Sequence, residues 1–332
     1  MIDIYTHIFP DKFYEELTKT SPKLGNIGQR LRGVKPLFDL DIRFRDMDKI
    51  GPDYRQVISL PNPPIEDIAS PADGARLAMV ANDAMAELCA KHPDRFPAFA
   101  AACCMTDVDA SLKEIDRAIN QLGARGVQTF TNIKGKPLDL PEFEPFFAAM
   151  ARHDLPIWMH PARTAEDFAD YTTEKKSRYE MWWCFGWPYE TSVAMSRIVF
   201  NGTYDRYPNL SIITHHCGGM IPYYDGRVGP GLNVLGSRTM DEDYSGVLKG
   251  LRKPHLEYFK QFYGDTAMFG ASNGLHSGYK FFGADHVVFS TDSPLGPVAE
   301  SLKAIDALEL SPADKKKVMS GNAERILKLK AS

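Results

Sequence analysis

The 332-residue chain is short of several things, and each shortage closes a functional class. No apolar run approaches the ~20 residues that a membrane-crossing helix needs. The opening MIDIYTHIFPDKFYEE has neither the basic stretch nor the long apolar core of a secretion signal. Positive charge is in deficit: 39 Lys and Arg face 43 Asp and Glu, a formal net charge of -4. That balance favours solubility and gives nucleic acid or an acidic lipid surface nothing to hold. Cysteine is scarce. Cys89, Cys103, Cys104, Cys184 and Cys217 form no CxxC pair and are odd in number, which suits reduced thiols of a cytoplasmic protein rather than a disulfide framework. No GxGxxG follows a strand-like run and no GxxxxGK[ST] occurs, so dinucleotide and P-loop folds have no support.

What is present is alternation. Short apolar runs rich in β-branched and aromatic residues read as strands over residues 2–7, 55–60, 96–104, 126–132, 156–160, 210–216, 262–267 and 286–292. Several are apolar at consecutive positions, as strands covered on both faces require. Helix-like segments lie between them at 73–91, 109–122, 141–153, 189–207 and 297–308. In the first of these, Leu77, Ala81, Ala84 and Leu88 share one face. Ser311 before Pro312 predicts the cap and first turn of a further helix. Eight strands, most followed by a helix, predict an α/β fold of the (β/α)8 TIM-barrel class. With no linker, repeat or low-complexity stretch, residues 1–332 read as one domain. The irregular stretches 20–41 and 164–187 read as insertions at the active face.

Barrels of this class assemble their sites at the C-terminal ends of the strands. Four predicted strands end in polar residues: Tyr5-Thr6-His7, Trp158-Met159-His160, Thr214-His215-His216 and Ser290-Thr291-Asp292. Imidazoles and a carboxylate placed this way suit a borderline divalent ion such as Zn²⁺, which takes nitrogen and oxygen ligands and leaves a position for water. One histidine at a strand end is ordinarily a hydrogen-bonded structural residue; recurrence at four ends argues for a shared site. Alternation along the sixth strand sends His215 and His216 to opposite sides, which predicts His215 facing the helical layer. His276 lies just beyond the seventh strand, within reach of the same edge. The aromatic run Tyr179, Trp182, Trp183, Phe185 and Trp187 packs a loop or walls a pocket for a planar substrate, with Trp183 and Trp187 the better wall candidates.

These residues carry a resemblance. IDIYTHIFP at the start, RFRDMD from Arg43, the block GWPYETSVAMSRIVFNGTYDRYPNL from Gly186, HCGGMIPYYDGR from His216, VVFSTDSPLG from Val287 and GNAERIL from Gly321 occur in order along most of the chain. Together they resemble the amidohydrolase-related family (amidohydrolase 2) that contains 2-amino-3-carboxymuconate-6-semialdehyde decarboxylase and γ-resorcylate decarboxylase. The resemblance implies one divalent metal ion, zinc first and manganese second, with His7, His160 and Asp292 as ligands. It implies His216 as the general acid/base beside the metal, chosen over His215 because Pro222 and Arg227 follow it at the family's spacing. Asp292 would shuttle a proton as well as bind. Arg227 matches an arginine that family dimers lend to the neighbouring subunit to grip a substrate carboxylate, which implies a homodimer; a surface ion pair is the plainer role for it.

Two positions depart from the pattern. Tyr5 stands where the family places its first metal-binding His, or Glu. A phenol with an ordinary pKa near ~10 is a poor ligand at neutral pH unless a metal draws off its proton. Three arrangements stay open: Tyr5 binds as phenolate, it hydrogen-bonds a water at the metal, or the site is metal-poor. Ser293-Pro294-Leu295-Gly296 replaces a longer aromatic turn that touches substrate in the family, which leaves the substrate's identity open. The expected activity is non-oxidative decarboxylation of an unsaturated or aromatic carboxylic acid, with a metal-held water, Asp292 and His216 handling protons. The rival readings are a hydrolase or hydratase of a lactone, ester or conjugated acid at the same site, and a barrel without catalysis that serves as a binding protein.

Overall fold

The structure is a computed structural model and describes residues 1–21, 24–25 and 27–329. Residues 22, 23 and 26 of the predicted 20–41 insertion lie outside the described residues, as do 330–332. Eight parallel strands form the core of the molecule: β1 (Ile2–His7), β2 (Arg55–Ser59), β3 (Ala98–Phe99), β4 (Val127–Phe130), β5 (Ile157–His160), β6 (Ile212–Thr214), β7 (Tyr263–Asp265) and β8 (Val287–Val288). Each pairs with its sequence neighbour, β3 and β4 through a single bridge between Ala101 and Val127. The ring closes where the Ile4 N–H donates to Phe289 O at 2.9 Å and the His7 N–H to Ser293 O at 2.8 Å. The result is the expected (β/α)8 barrel.

The strands are shorter than the apolar runs that announce them. β8 leaves the ladder after Val288. Beyond it Thr291 turns back toward β1, its N–H donating to Asp3 Oδ1 at 3.0 Å, and Asp292 takes a left-handed backbone at φ 61°. Side chains of the strands, the partly exposed Arg55 at the start of β2 apart, are buried on both faces, because helices cover the outside and the barrel fills its own interior. Ile2, Ile4, Val57, Ala98, Trp158, Ile213 and Val288 pack that interior with Ala323, Ile326 and Leu327 of the C-terminal helix. The Trp158 indole N–H donates to Ile4 O at 2.8 Å across the barrel. The helix Pro71–Lys91 starts as its sequence indicates, with Ser70 Oγ accepting from the Asp73 N–H and Pro71 in the first turn. Ser311 caps the helix Pro312–Lys316 through the Asp314 N–H.

One buried polar cluster fixes the C-terminal end of β1. Arg43, from the helix Leu40–Ile50, reaches inward and donates to Gln56 Oε1 at 2.8 Å, His7 O at 2.5 Å and Thr6 Oγ1 at 3.1 Å. A guanidinium suits this role because its planar fork satisfies three acceptors on two strands at once. The backbone that carries His7 is therefore bolted from outside the barrel. The insertion 20–41 contains the short helix Gly28–Arg32, and 164–187 contains the turn Met181–Cys184; both overhang the ends of the strands.

Candidate active site

At those ends four imidazoles and two carboxylates converge. His7 ends β1 and His160 ends β5, while His215 and His216 follow β6 directly. Asp265 ends β7 and Asp292 follows β8. Ligand-capable atoms of His7, His160 and His215 lie within 4.8 Å of one another, as do those of His215, His216 and Asp292. Asp292 Oδ1 stands 3.1 Å from His7 Nε2 and 3.5 Å from His215 Nε2, and its Oδ2 is 4.0 Å from His216 Nε2. The His7 approach is close but lacks hydrogen-bonding alignment, so His7 Nε2 and His215 Nε2 are buried nitrogens without a hydrogen-bond partner among the described residues.

Three of the rings are held from behind through Nδ1. His7 Nδ1 lies 3.1 Å from Leu60 O, His160 Nδ1 2.8 Å from Pro161 O, and His215 Nδ1 2.5 Å from Asp265 Oδ2. An Nδ1–H donating outward leaves the Nε2 lone pair facing the centre. Burial holds His7 below the ordinary imidazole value; burial, with His215 and His7 nearby, holds His160 well below it. Both are therefore neutral, the form that binds a metal. Burial also opposes charge on His215, but Asp265 and then Asp292 outweigh it and raise that ring to about 9. Burial opposes ionisation of Asp292 as well, and the close imidazoles of His215, His216 and His7 reverse this and hold its carboxyl well below the usual range. The centre thus combines the inward nitrogen lone pairs of His7 and His160 with anionic oxygen, and a cation there would displace the second proton of His215, a donor set that fits a borderline divalent ion.

The structure corrects the expected direction of His215, which lies inside the site and fully buried. Alternation holds only along extended backbone, and β6 ends at Thr214. His216, Cys217, Gly218 and Gly219 then run through four consecutive left-handed residues, at φ 57°, 56°, 75° and 61°. This turn brings both rings to one side, with centroids 3.9 Å apart. The two glycines are demanded by space: a Cβ on Gly218 would meet Phe282 at 2.8 Å, and one on Gly219 the Pro188 carbonyl oxygen at 2.4 Å. Cys217 points away into packing against Gly278 and Gly264, where burial pushes its thiol up and out of chemistry.

Tyr5 lies against this centre, fully buried, its ring 4.1 Å from that of His215 and tilted by 33°. Burial, then Asp265 and Asp292, raises its phenol well above the ordinary value, and its hydroxyl has no hydrogen-bond partner among the described residues. A cavity of about 190 Å³ opens over His160 and Asp292, walled by Trp182, Trp183, Trp187 and Phe269, with Arg30 and Glu180 among its polar residues. An apolar cavity of roughly 150 Å³ accepts a benzene ring, so this one suits a single substituted ring. The His216 ring lies between Trp187 and Phe269, nearly parallel to both, with centroids 6.2 and 6.3 Å away. A larger cavity of about 650 Å³ shares Asn62, Trp182 and Trp187 with the first, but none of the imidazoles and neither carboxylate lines it.

Trp183 and Trp187 thus stand on the wall of the smaller cavity. Arg227 does not: it is exposed on the short helix Asp225–Val228, off the cavity lining. His276 is exposed on the helix Ser272–Phe282, away from the centre. Sequence reasoning passed over Asp265, although it is a polar strand end of the same kind as Asp292. It also passed over Arg30 and Phe269, which no strand-end rule could find because both sit in connecting segments. The pattern GASNG at 270–274 has the form of a nucleophile elbow, yet Ser272 opens a helix, is exposed and does not line the cavity.

Comparison with known proteins agrees with this geometry. The family model described as amidohydrolase matches residues 2–329. A γ-resorcylate decarboxylase of Rhizobium sp. is 30% identical over 306 residues, covering 87% of each chain. A dihydroxybenzoic acid decarboxylase of Polaromonas sp., solved with manganese and the inhibitor 2-nitroresorcinol, superimposes with a TM-score of 0.80 at 26% identity, over 100% of this chain and 97% of that one. A 5-carboxyvanillate decarboxylase of Novosphingobium aromaticivorans, solved with manganese and 4-hydroxy-3-methoxy-5-nitrobenzoic acid, does so with a TM-score of 0.83 at 26% identity, over 99% and 96%.

Proposed function

The chain belongs to the amidohydrolase family, and from that premise we propose that it is a metal-dependent, non-oxidative decarboxylase of an aromatic or unsaturated carboxylic acid. The observation that carries the reading is the arrangement of His7, His160, Asp292 and His216 beneath a ring-sized, aromatic-walled cavity. His7, His160 and Asp292 would hold one divalent cation. Manganese is the ion named with the relatives, and the nitrogen and oxygen donors suit zinc as well. When bound, the cation supplies a Lewis acid that draws charge onto substrate oxygen.

The remaining work falls to the chain's own groups. Trp183, Trp187 and Phe269 wall the space that a planar ring would fill and keep water from it. Burial and the adjacent His215 hold His216 below the ordinary imidazole value, so it enters the reaction neutral at pH 7. It takes a proton from the bound acid and returns it to the ring carbon that bears the carboxylate, with Asp292 Oδ2 at 4.0 Å stabilising the imidazolium between the two transfers. The carbon–carboxylate bond then breaks, its electron pair restores conjugation, and CO₂ leaves. Arg30 offers a cation at the rim. Arg227 is exposed and off the cavity of its own chain, so a part in gripping the substrate carboxylate would need a second subunit to present it, as a twofold homodimer could; a surface ion pair is its other role.

The test is incubation of the manganese-loaded protein with 2,6-dihydroxybenzoate, 5-carboxyvanillate and related acids, following CO₂ release and deuterium uptake from D₂O at the vacated carbon. Release of CO₂ with one deuterium per turnover is expected. Opening of a lactone or ester with ¹⁸O uptake from labelled water, and no CO₂ from any acid, would replace this reading with hydrolysis.

A further inference from the structure

Resting on that metal-dependent reading, we infer that His215, and not Tyr5, completes the protein ligands of the cation: the set is His7, His160, His215 and Asp292, with Asp265 as the carboxylate behind His215 and His216 left outside the set. β1 carries a phenol where its companion His7 is a ligand, and His215, which follows β6 across the barrel, supplies the further nitrogen.

The geometry separates the candidates. His215 is the member common to both groups of converging ligand atoms, one with His7 and His160 and the other with His216 and Asp292. Among the His, Cys, Asp and Glu side chains of the described residues, it is therefore the one that groups within 4.8 Å with the β1 and β5 imidazoles and also stands 3.5 Å from Asp292 Oδ1. His216 meets only the second condition, and its ring is instead interleaved with the cavity walls Trp187 and Phe269.

The way each ring is held points the same way. His7, His160 and His215 are each anchored at Nδ1, by two backbone carbonyls and one carboxylate. Nε2 of His7 and of His215 is buried without a hydrogen-bond partner among the described residues. A buried polar atom left so is destabilising, and a shared cation removes that cost from both at once. A carboxylate behind an imidazole is the usual means of fixing the ring's tautomer and direction toward a metal. Asp265 is itself fixed, its Oδ1 accepting the Cys217 N–H at 3.1 Å and the Ala267 N–H at 3.2 Å. Tyr5 in this arrangement is packing: its ring covers one face of His215 at 4.1 Å and keeps that imidazole from turning. The left-handed turn 216–219 has a stated purpose too, since it lets two adjacent histidines face one centre in different roles.

The experiment uses the full chain loaded with Co²⁺ or Mn²⁺ and reads the ion rather than turnover. X-ray absorption of the Co²⁺ protein is expected to count three imidazoles; two would overturn the inference. In chelator competition, His215→Gln is expected to weaken Mn²⁺ binding more than about 100-fold and Asp265→Asn about 10- to 100-fold. Tyr5→Phe and His216→Gln are expected to bind near wild type. Wild-type affinity in His215→Gln, alongside loss in His7→Gln and His160→Gln, overturns the assignment and leaves the metal reading standing. Loss of the ion in Tyr5→Phe overturns it as well. No uptake by the wild-type protein defeats both readings. Circular dichroism and thermal melting establish whether His215→Gln folds; if it does not, the imidazole count on the wild type decides alone.

Discussion

His215 Nδ1 and Asp265 Oδ2 lie 2.5 Å apart with both side chains fully buried, while the ring of the next residue in the chain, His216, lies nearly parallel to two aromatic walls of the cavity, Trp187 and Phe269. Neighbours in sequence are thus split between holding and reacting. On this division His216→Gln is expected to lower decarboxylation by about 10²- to 10⁴-fold, the usual contribution of a general acid/base. Its metal content per chain stays at the wild-type level. CO₂ release and metal analysis on the same sample check this, and a variant that loses its ion with its activity contradicts it.

The turn that makes the split possible has no slack. Gly219 sits at φ 61°, and an added Cβ would stand 2.4 Å from the backbone oxygen of Pro188 and 2.9 Å from Ser192 Oγ. A carbonyl inside a helix cannot swing aside as a flexible side chain can. Gly219→Ala is therefore expected to cost at least about 2 kcal/mol of stability, from strain and overpacking together. Because Ser192 Oγ also accepts the Met220 N–H at 2.8 Å, the turn shifts as a unit and carries His216 with it. Denaturant melts should show the stability loss, and turnover should fall even where the protein remains folded.

How much of this was legible in advance depends on which physical signal carries each part. Barrel strands and their order were readable because buried parallel strands are apolar at consecutive positions, and the polar residues that end them stand out against that background. His7, His160 and Asp292 were singled out this way, and the fold brings His7 close to each of the other two. His215 was turned the wrong way because pleat alternation says nothing once the backbone leaves the strand, and four left-handed residues in a row are not announced by two glycines alone. Asp265 carried a usable signal, a carboxylate at the end of β7. Arg30 and Phe269 carried none, since where a connecting segment lies over a barrel mouth is set by packing between distant parts of the chain.

A buried carboxyl outside the site gives a test of stability against pH. Burial pushes Glu66 up to about 7, although its Oε1 accepts the Met105 N–H at 2.8 Å. Between the ordinary value, near 4.5, and about 7 the folded protein keeps a proton that the unfolded chain has released. Stability from this group is present at low pH and falls as pH rises through that window, then levels off. Glu66→Gln keeps the acceptor for Met105 and removes the titration. The difference in stability between variant and wild type should therefore move in favour of the variant between pH 5 and pH 8, on the order of 2 kcal/mol. Other buried acids, Asp3 among them, affect both proteins alike and cancel in the difference.

Tyr5 offers a test by deletion of a single atom. Its hydroxyl is fully buried without a hydrogen-bond partner among the described residues, so removing it breaks no internal hydrogen bond and relieves a desolvated polar group. Tyr5→Phe is expected to raise stability by about 1 kcal/mol in the metal-free protein. A drop of that size instead would mean that the hydroxyl is bonded, through water or a ligand, in solution.

Arg227 decides whether the site is complete in one chain. It is exposed and absent from the cavity wall, so a role in gripping substrate requires a second subunit to present it. Arg227→Ala should then raise KM for the acid more than it lowers kcat, because the contact is to a carboxylate held before the reaction. The sharper measurement mixes His216→Gln and Arg227→Ala after dissociation and reassociation, and assays at substrate well below the raised KM, where each alone turns over little. In each mixed dimer one site has both lesions and the other has neither. Random pairing at equal amounts makes half of the dimers mixed, so activity should return to about one quarter of wild type. A monomer, or a dimer whose arginine serves its own subunit, recovers nothing on mixing.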